Sequence, residues 1–244
     1  MKRVALITGG TTGIGFATAR LLQGQQYSVV ATGQNAERIA AAQRALPDAV
    51  FLRADARNLG ETQAVADEIR NRFGWLDALF LNAGTGPMQP VEAVDEAAFD
   101  DNFAVNVKGQ FFTLQKVLPL LREHASVVLM SGLGIRLGAP NYSVATATRG
   151  AITALVAPLA VELAPRKIRV NAVVPAAIAT AAFEKLGLSP EQLAAFDTWV
   201  SARLLTGRPG TPEDVAGLVG YLLSPAAGFI TGSCFPIDGG MGVT

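Results

Sequence analysis

An α/β fold, a parallel sheet of about seven strands doubly wound with helices on both faces, is predicted by three observations on this 244-residue sequence. Strand-like apolar runs alternate with helix-like ones along the whole chain, as parallel strands joined by crossover helices require. The first strand-like run ends in a glycine-rich turn that opens a helix. Polar and glycine residues then recur where later strand-like runs end, which is where ligands sit in an open α/β sheet. A chain of this length buries about 70% or more of its unfolded surface as one unit, so a single domain over residues 1–244 is expected.

The elements follow in order. Val4 to Ile7 is too short for a helix and is bounded by glycines, so it reads as a buried strand. Thr8 to Gly15 carries glycines at 9, 10, 13 and 15, and a helical pattern runs from Phe16 to Leu22. Such a strand, turn and helix make an anion site: glycines permit close backbone approach, and the helix amino end offers unpaired N–H groups and partial positive charge. The spacing G-x3-G-x-G differs from the G-x-G-x-x-G dinucleotide fingerprint, and a turn that only packs strand on helix is the plain alternative. Further strands are predicted at Ser28 to Thr32, Val50 to Arg53, Ala78 to Leu81, Val127 to Met130 and Arg169 to Val174, with a last one over Phe229 to Asp238. Helices are expected over roughly Phe99 to Leu121 and from Thr211-Pro212 to Leu223.

Charge narrows the function classes. Lys plus Arg equals Asp plus Glu at 20 each, with no basic stripe, which argues against nucleic acid or an anionic membrane as partner. The one cysteine, Cys234, permits no internal disulfide and fits a reducing cytoplasm. The apolar run Ala151 to Ala164 is interrupted by Pro158 and Glu162, so it is not expected to span a membrane, and the strand beginning near the amino end leaves no room for a signal peptide. His124, the only histidine, has no metal-spaced companions and reads as a solvated loop residue; no metal site is expected.

Five motifs occur in series: T-G-x-x-x-G-I-G at Thr8 to Gly15, N-A-G at Asn82 to Gly84, N-V-K-G at Asn106 to Gly109, I-R-V-N-A-V-V-P at Ile168 to Pro175, and D-G-G at Asp238 to Gly240. In that order and at those separations the chain resembles the short-chain dehydrogenase/reductase family over nearly its whole length. The resemblance implies a Rossmann-type domain binding NAD(H) or NADP(H). Gly9, Thr11, Thr12, Gly13 and Ile14 would hold the pyrophosphate, and Asn82, Ala83 and Gly84 would lie against the adenosine. Asp55 with Ala56 would read the adenine edge, the alternative for Asp55 being a turn cap; Pro175, Ile178 and Thr180 would border the nicotinamide end, with a helix cap as the alternative for Thr180. A carboxylate ending the second strand would bind the ribose hydroxyls and repel a 2′-phosphate, but Gly33 and Gln34 stand there. With Arg38 one turn on as a source of charge, NADP(H) is preferred over NAD(H); a solvated helix arginine is the alternative.

The resemblance breaks at the catalytic residues. The family uses a tyrosine as proton donor or acceptor, a lysine four residues later, and a serine near the fifth strand. A nearby cation is needed because an unassisted phenol ionises only near ~10. Aligned on S-V and A-T-x-G-A, Ala145 takes the tyrosine position and Arg149 the lysine position, where Arg149 would hold ribose hydroxyls. Ser131 lies 14 residues before Ala145 where the family usually has 13, so either Ser131 or Gly132 takes the serine position. Tyr142, Ala145 and Arg149 would share a face on a continuous helix, making Ser131, Tyr142 and Arg149 a candidate shifted trio, while Pro140 leaves Tyr142's direction open. Asn106 would kink its helix and hold a relay water, with a structural role as the alternative. The segment of about 177–206, with Phe183, Leu186, Leu188, Phe196 and Trp199, would be a mobile lid over a small apolar substrate, or would pack on its own core.

These expectations amount to an NAD(P)(H)-dependent oxidoreductase for carbonyl or alcohol groups of an apolar small molecule, assembled as a homodimer or homotetramer. A nucleotide-binding protein without redox catalysis is the alternative, and non-redox chemistry on the same fold a further one.

Overall fold

The structure is a computed structural model that describes residues 2–132, 138–179 and 189–244, with Phe196 described by its backbone alone. Thr180, Phe183, Leu186 and Leu188 lie outside the described residues.

Seven parallel strands form one sheet in the order β3-β2-β1-β4-β5-β6-β7: β1 Arg3–Ile7, β2 Tyr27–Gly33, β3 Val50–Arg53, β4 Leu76–Leu81, β5 Leu121–Met130, β6 Arg169–Pro175 and β7 Cys234–Ile237. The helices are α1 Gly13–Gly24, α2 Ala36–Ala45, α3 Leu59–Arg72, α4 Glu96–Phe103, α5 Gly109–Val117, α6 Ser143–Leu163, α7 Pro190–Ser201 and α8 Pro212–Leu223. The apolar runs are continuous because both sheet faces are covered. Alternate side chains divide between two layers: Leu6, Leu79, Leu81 and Leu129 pack with Ile152 and Val156 of α6 on one face. Ala5, Ile7, Phe80 and Val128 pack with Val215, Val219 and Leu222 of α8 on the other. Strand order reverses direction between β1 and β4, and the crevice this opens at the strand carboxyl ends is where a ligand is expected.

Three expectations need correction. The helix expected over Phe99 to Leu121 is instead α4, a π-helical turn at Ala104–Lys108 containing Asn106, and α5, because the buried Asn106 bonds across to Thr85 and Thr148. His124 belongs to β5 rather than to a loop, exposed and at φ 67°, where the β4–β5 pairing shifts register. The last strand is confined to Cys234–Ile237. Ser143–Arg166 is long and apolar enough by composition to cross a membrane, despite Pro158 and Glu162. In this fold that helix lies along β6, with Ile152, Val156 and Leu163 in the sheet core.

Candidate functional site

A cleft of about 620 Å³ runs along the carboxyl ends of the strands, lined from the β1–α1 turn past the ends of β2, β4 and β5 to the segment after β6. Its centre is a set of hydrogen bonds spanning the reversal point. Thr8 Oγ1 accepts from the backbone N–H groups of Asn82 and Ala83, at 2.9 and 3.0 Å. Asn82 Nδ2 donates back to the carbonyl oxygens of Thr8 and Gly9, at 3.1 and 3.0 Å. The turn is packed so closely that a Cβ on Gly15 would stand 2.3 Å from the Gly9 oxygen, and Gly9 itself has φ 63°. Only glycine fits both demands. Thr12 caps α1 by its backbone alone, with no side-chain bond to the first turn, so the amino end of α1 opens on the cleft uncapped.

Gly9, Thr11, Thr12, Gly13 and Ile14 line the cleft on this side. Gln34 and Arg38 line it at the end of β2, where Asn35 caps α2 by accepting from the Arg38 N–H at 2.9 Å. Ala56, Asn82, Ala83 and Gly84 follow, then Ser131, Tyr142 and Arg149, and finally Pro175 and Ile178. Two site expectations are not brought into the cleft lining. The Asp55 carboxylate turns to Arg57, taking its backbone N–H at 2.9 Å and its Nη2 at 2.6 Å, because the guanidinium fork satisfies both oxygens. Arg57 in turn holds that carboxyl below the usual carboxylate range. Asn106 is fully buried, accepting from the Thr85 N–H at 2.8 Å and donating to the Thr85 carbonyl and to Thr148 Oγ1, each at 2.9 Å. Its amide braces the loop after β4 against α6.

Around Arg149 the site is unusual. Its guanidinium lies over Gly84, with Nη1 and Nη2 both 3.2 Å from where a side chain there would begin. Nη2 donates to the Thr85 carbonyl at 3.3 Å, while Nη1 is buried without a hydrogen-bond partner among the described residues. Burial pushes the guanidinium below its ordinary range, with the Tyr142 phenol as the opposing influence. Tyr142 sits just before α6, at φ −120°, and its hydroxyl approaches Gly86. A Cβ on Gly86 would meet that hydroxyl at 2.8 Å and the Ala145 methyl at 3.5 Å, so both lie against Gly86. Ser131 Oγ bonds to α6 instead of reaching outward, donating to the Arg149 carbonyl at 3.0 Å with Thr153 Oγ1 also at 3.0 Å. Gly132 lines the cleft beside it.

These features fit a dinucleotide: an elongated cleft, an uncapped helix amino end at one side and an orphaned cationic N–H group within. Thr11 to Ile14 would hold the phosphates, Asn82 to Gly84 the adenosine side, and Arg149 with Pro175 and Ile178 the nicotinamide side. The sequence reading missed Thr85, whose carbonyl holds both Asn106 and Arg149, and Arg57, which lines the cleft. Trp199 and Val200 of α7 and Met241 near the carboxyl end also line it, and they pack together with Ala176 and Ala177. Arg57 follows the named pair Asp55-Ala56 directly, so its position carried a signal; Thr85 acts through its backbone, and Met241 arrives from a distant segment.

A family model described as enoyl-(acyl carrier protein) reductase matches residues 9–242. Levodione reductase of Leifsonia aquatica is 35% identical over 251 residues, covering 98% of this chain and 93% of that protein. Versicolorin reductase of Emericella nidulans is 33% identical over 255 residues, covering 98% and 95%. A crystal structure of levodione reductase superposes with a TM-score of 0.90 at 31% identity, covering 99% of this chain and 98% of that one.

Proposed function

The chain belongs to the short-chain dehydrogenase/reductase family, and from that premise we propose an NAD(P)(H)-dependent oxidoreductase for carbonyl or alcohol groups of a small apolar substrate, with an altered proton donor. Ala145 and Arg149 take the positions of the family's tyrosine and lysine. The observation that carries the reading is that the Tyr142 hydroxyl and the Ala145 methyl both lie against Gly86, with the Tyr142 phenol exerting its influence on the buried Arg149. Tyr142 thereby brings a hydroxyl to the side of Gly86 that Ala145 also borders.

The bound nicotinamide supplies or accepts the hydride. Tyr142 moves the proton to or from the substrate oxygen, with Ser131 or water as the other carriers available there. Arg149 holds the ribose hydroxyls and sets positive charge near the phenol, and Asn106 acts through Thr85 to position Arg149. Gln34 and Arg38, with Gly33, Gln34 and Asn35 rather than a carboxylate at the end of β2 itself, favour NADP(H) over NAD(H). Arg38 enters no ion pair among the described residues, which leaves its charge available to a 2′-phosphate. The apolar wall of Trp199, Val200 and Met241 supports an apolar substrate and a lid that includes α7 in a single-domain enzyme. Exposed Phe229, Val161 and Leu205 support assembly into a homodimer or homotetramer, and a sequence with a single cysteine, which permits no internal disulfide, supports a cytoplasmic location.

A second reading, nucleotide binding without redox catalysis, is favoured by one feature: the Ser131 hydroxyl is occupied by α6. Hydride transfer from labelled NADPH and NADH to a panel of hydrophobic ketones separates the two. The unsubstituted protein is expected to turn over, and Tyr142→Phe to lose roughly 10²–10⁴ in kcat, the range for one general acid. If turnover appears only in an Ala145→Tyr/Arg149→Lys variant while the unsubstituted chain binds nucleotide, the second reading stands instead.

A further inference from the structure

One charged cluster borders the cleft without a part in the chemistry above. Arg57, two residues after Asp55, joins the β3–α3 turn to α4. Its Nε donates to both Asp55 carboxylate oxygens at 3.0 Å and its Nη2 to Asp55 Oδ2 at 2.6 Å. Its Nη1 donates to Asp101 Oδ1 at 2.6 Å. All three guanidinium nitrogens are therefore engaged, and guanidinium hydrogen bonds lie in the plane of the group. Three of its five N–H groups are thereby spent within the cluster, which fixes the guanidinium plane, and none of these bonds uses its flat face. The backbone beneath is fixed as well, since the Asp55 N–H donates to Glu61 Oε2 at 2.7 Å and the Asn58 N–H to the Asp55 carbonyl at 2.9 Å.

Arg57 and Asp101 line the cleft together with Ala54, Thr62, Val65 and Val105, at the end remote from Tyr142 and Arg149 in the order of the strands. Two carboxylates around one guanidinium leave the cluster with a net negative charge, which repels phosphate. A neutral aromatic ring has no such conflict, and a planar guanidinium stacks on one. Arg38 differs in both respects, being free of ion pairs among the described residues and placed at the end of β2.

We propose that the adenine base of the bound dinucleotide packs on the face of Arg57, with Asp55 and Asp101 as positioning residues that hold the guanidinium plane. This rests on the dinucleotide reading above and gives Asp55 an indirect part in adenine binding in place of a direct one. The test is titration of the full chain with NADPH, NADH, AMP and reduced nicotinamide mononucleotide, following fluorescence or heat. Arg57→Ala is expected to weaken NADPH, NADH and AMP by a common factor of about 3- to 30-fold, the range for a cation–π contact. Reduced nicotinamide mononucleotide, which lacks adenine, is expected to bind as before. Arg57→Lys keeps the charge and loses the plane, so it is expected to follow Arg57→Ala.

Unchanged AMP affinity in Arg57→Ala would overturn the proposal, as would equal weakening of the mononucleotide, which signals a general disturbance of the cleft. Weakening confined to NADPH would make Arg57 a phosphate reader and overturn it too. Absence of nucleotide binding by the unsubstituted chain would overturn the dinucleotide reading itself, a result distinct from any of these.

Discussion

Three motif asparagines show how much of this site is bracing. Asn82 ties the ends of β1 and β4, Asn106 ties Thr85 to α6, and Asn171 in β6 donates to the Ile230 carbonyl at 2.9 Å and accepts from the Ser233 N–H at 3.1 Å. Each amide replaces water for backbone groups of a loop that has no ladder partner. Asn106→Ala strips the Thr85 N–H and carbonyl and Thr148 of a partner at once. A loss of about 2–4 kcal/mol is expected in urea unfolding, since unmet buried groups carry their full desolvation cost. The same variant is expected to bind nucleotide more weakly, because the Thr85 carbonyl that holds Arg149 is then unbraced; unchanged affinity alongside lost stability would confine Asn106 to the fold.

At the scale of the element, α8 illustrates a helix start written entirely in local sequence. Thr211 accepts from the Asp214 N–H at 3.2 Å, Asp214 returns the bond to the Thr211 N–H at 2.8 Å, and Pro212 fills the first turn. Thr211→Ala is expected to cost about 1 kcal/mol in thermal or urea unfolding. Asp214 also takes the Arg208 guanidinium at 2.7 Å, and this partner, followed by the Thr211 N–H, holds its carboxyl far below the ordinary carboxylate range. A depressed folded value means that the contribution is present above the unfolded value, about 3.9, and is lost as pH falls through the folded one. The stability gap between the unsubstituted protein and Asp214→Asn is thus expected at pH 7 and is expected to close below about pH 4, as followed by denaturant midpoints across pH. A gap that persists in acid would show that the pair contributes little. The π-helical turn at Ala104–Lys108 is the opposite case, an element set by Asn106's distant partners and not by local propensity.

At the scale of the molecule, apolar side chains remain on the outside in number: Phe229, Val91, Val161, Leu205 and Val243 are each more than two-thirds exposed. A monomer that exposes such patches leaves apolar area to bury against a partner. Sedimentation velocity across micromolar concentrations is expected to show a dimer or tetramer, and Val161→Glu or Phe229→Glu to shift it toward monomer. A single monomeric species throughout would remove the assembly from the proposed function.

The sequence by itself determined the strands, their parallel order of layers and the glycine turn at the head of the cleft. Each of these depends on local periodicity or on backbone freedom, which neighbouring residues carry. It also carries the departure proposed at the catalytic positions, since Ala145 and Arg149 are read directly from their flanking residues. Only the tertiary structure decided where the side chains point. The Tyr142 hydroxyl and the Ala145 methyl both lie against Gly86, Asp55 turns to Arg57, and Ser131 bonds to α6. Those directions follow from hydrogen-bond partners tens of residues away, and the energy that selects among rotamers exists only once the chain has brought the partners together.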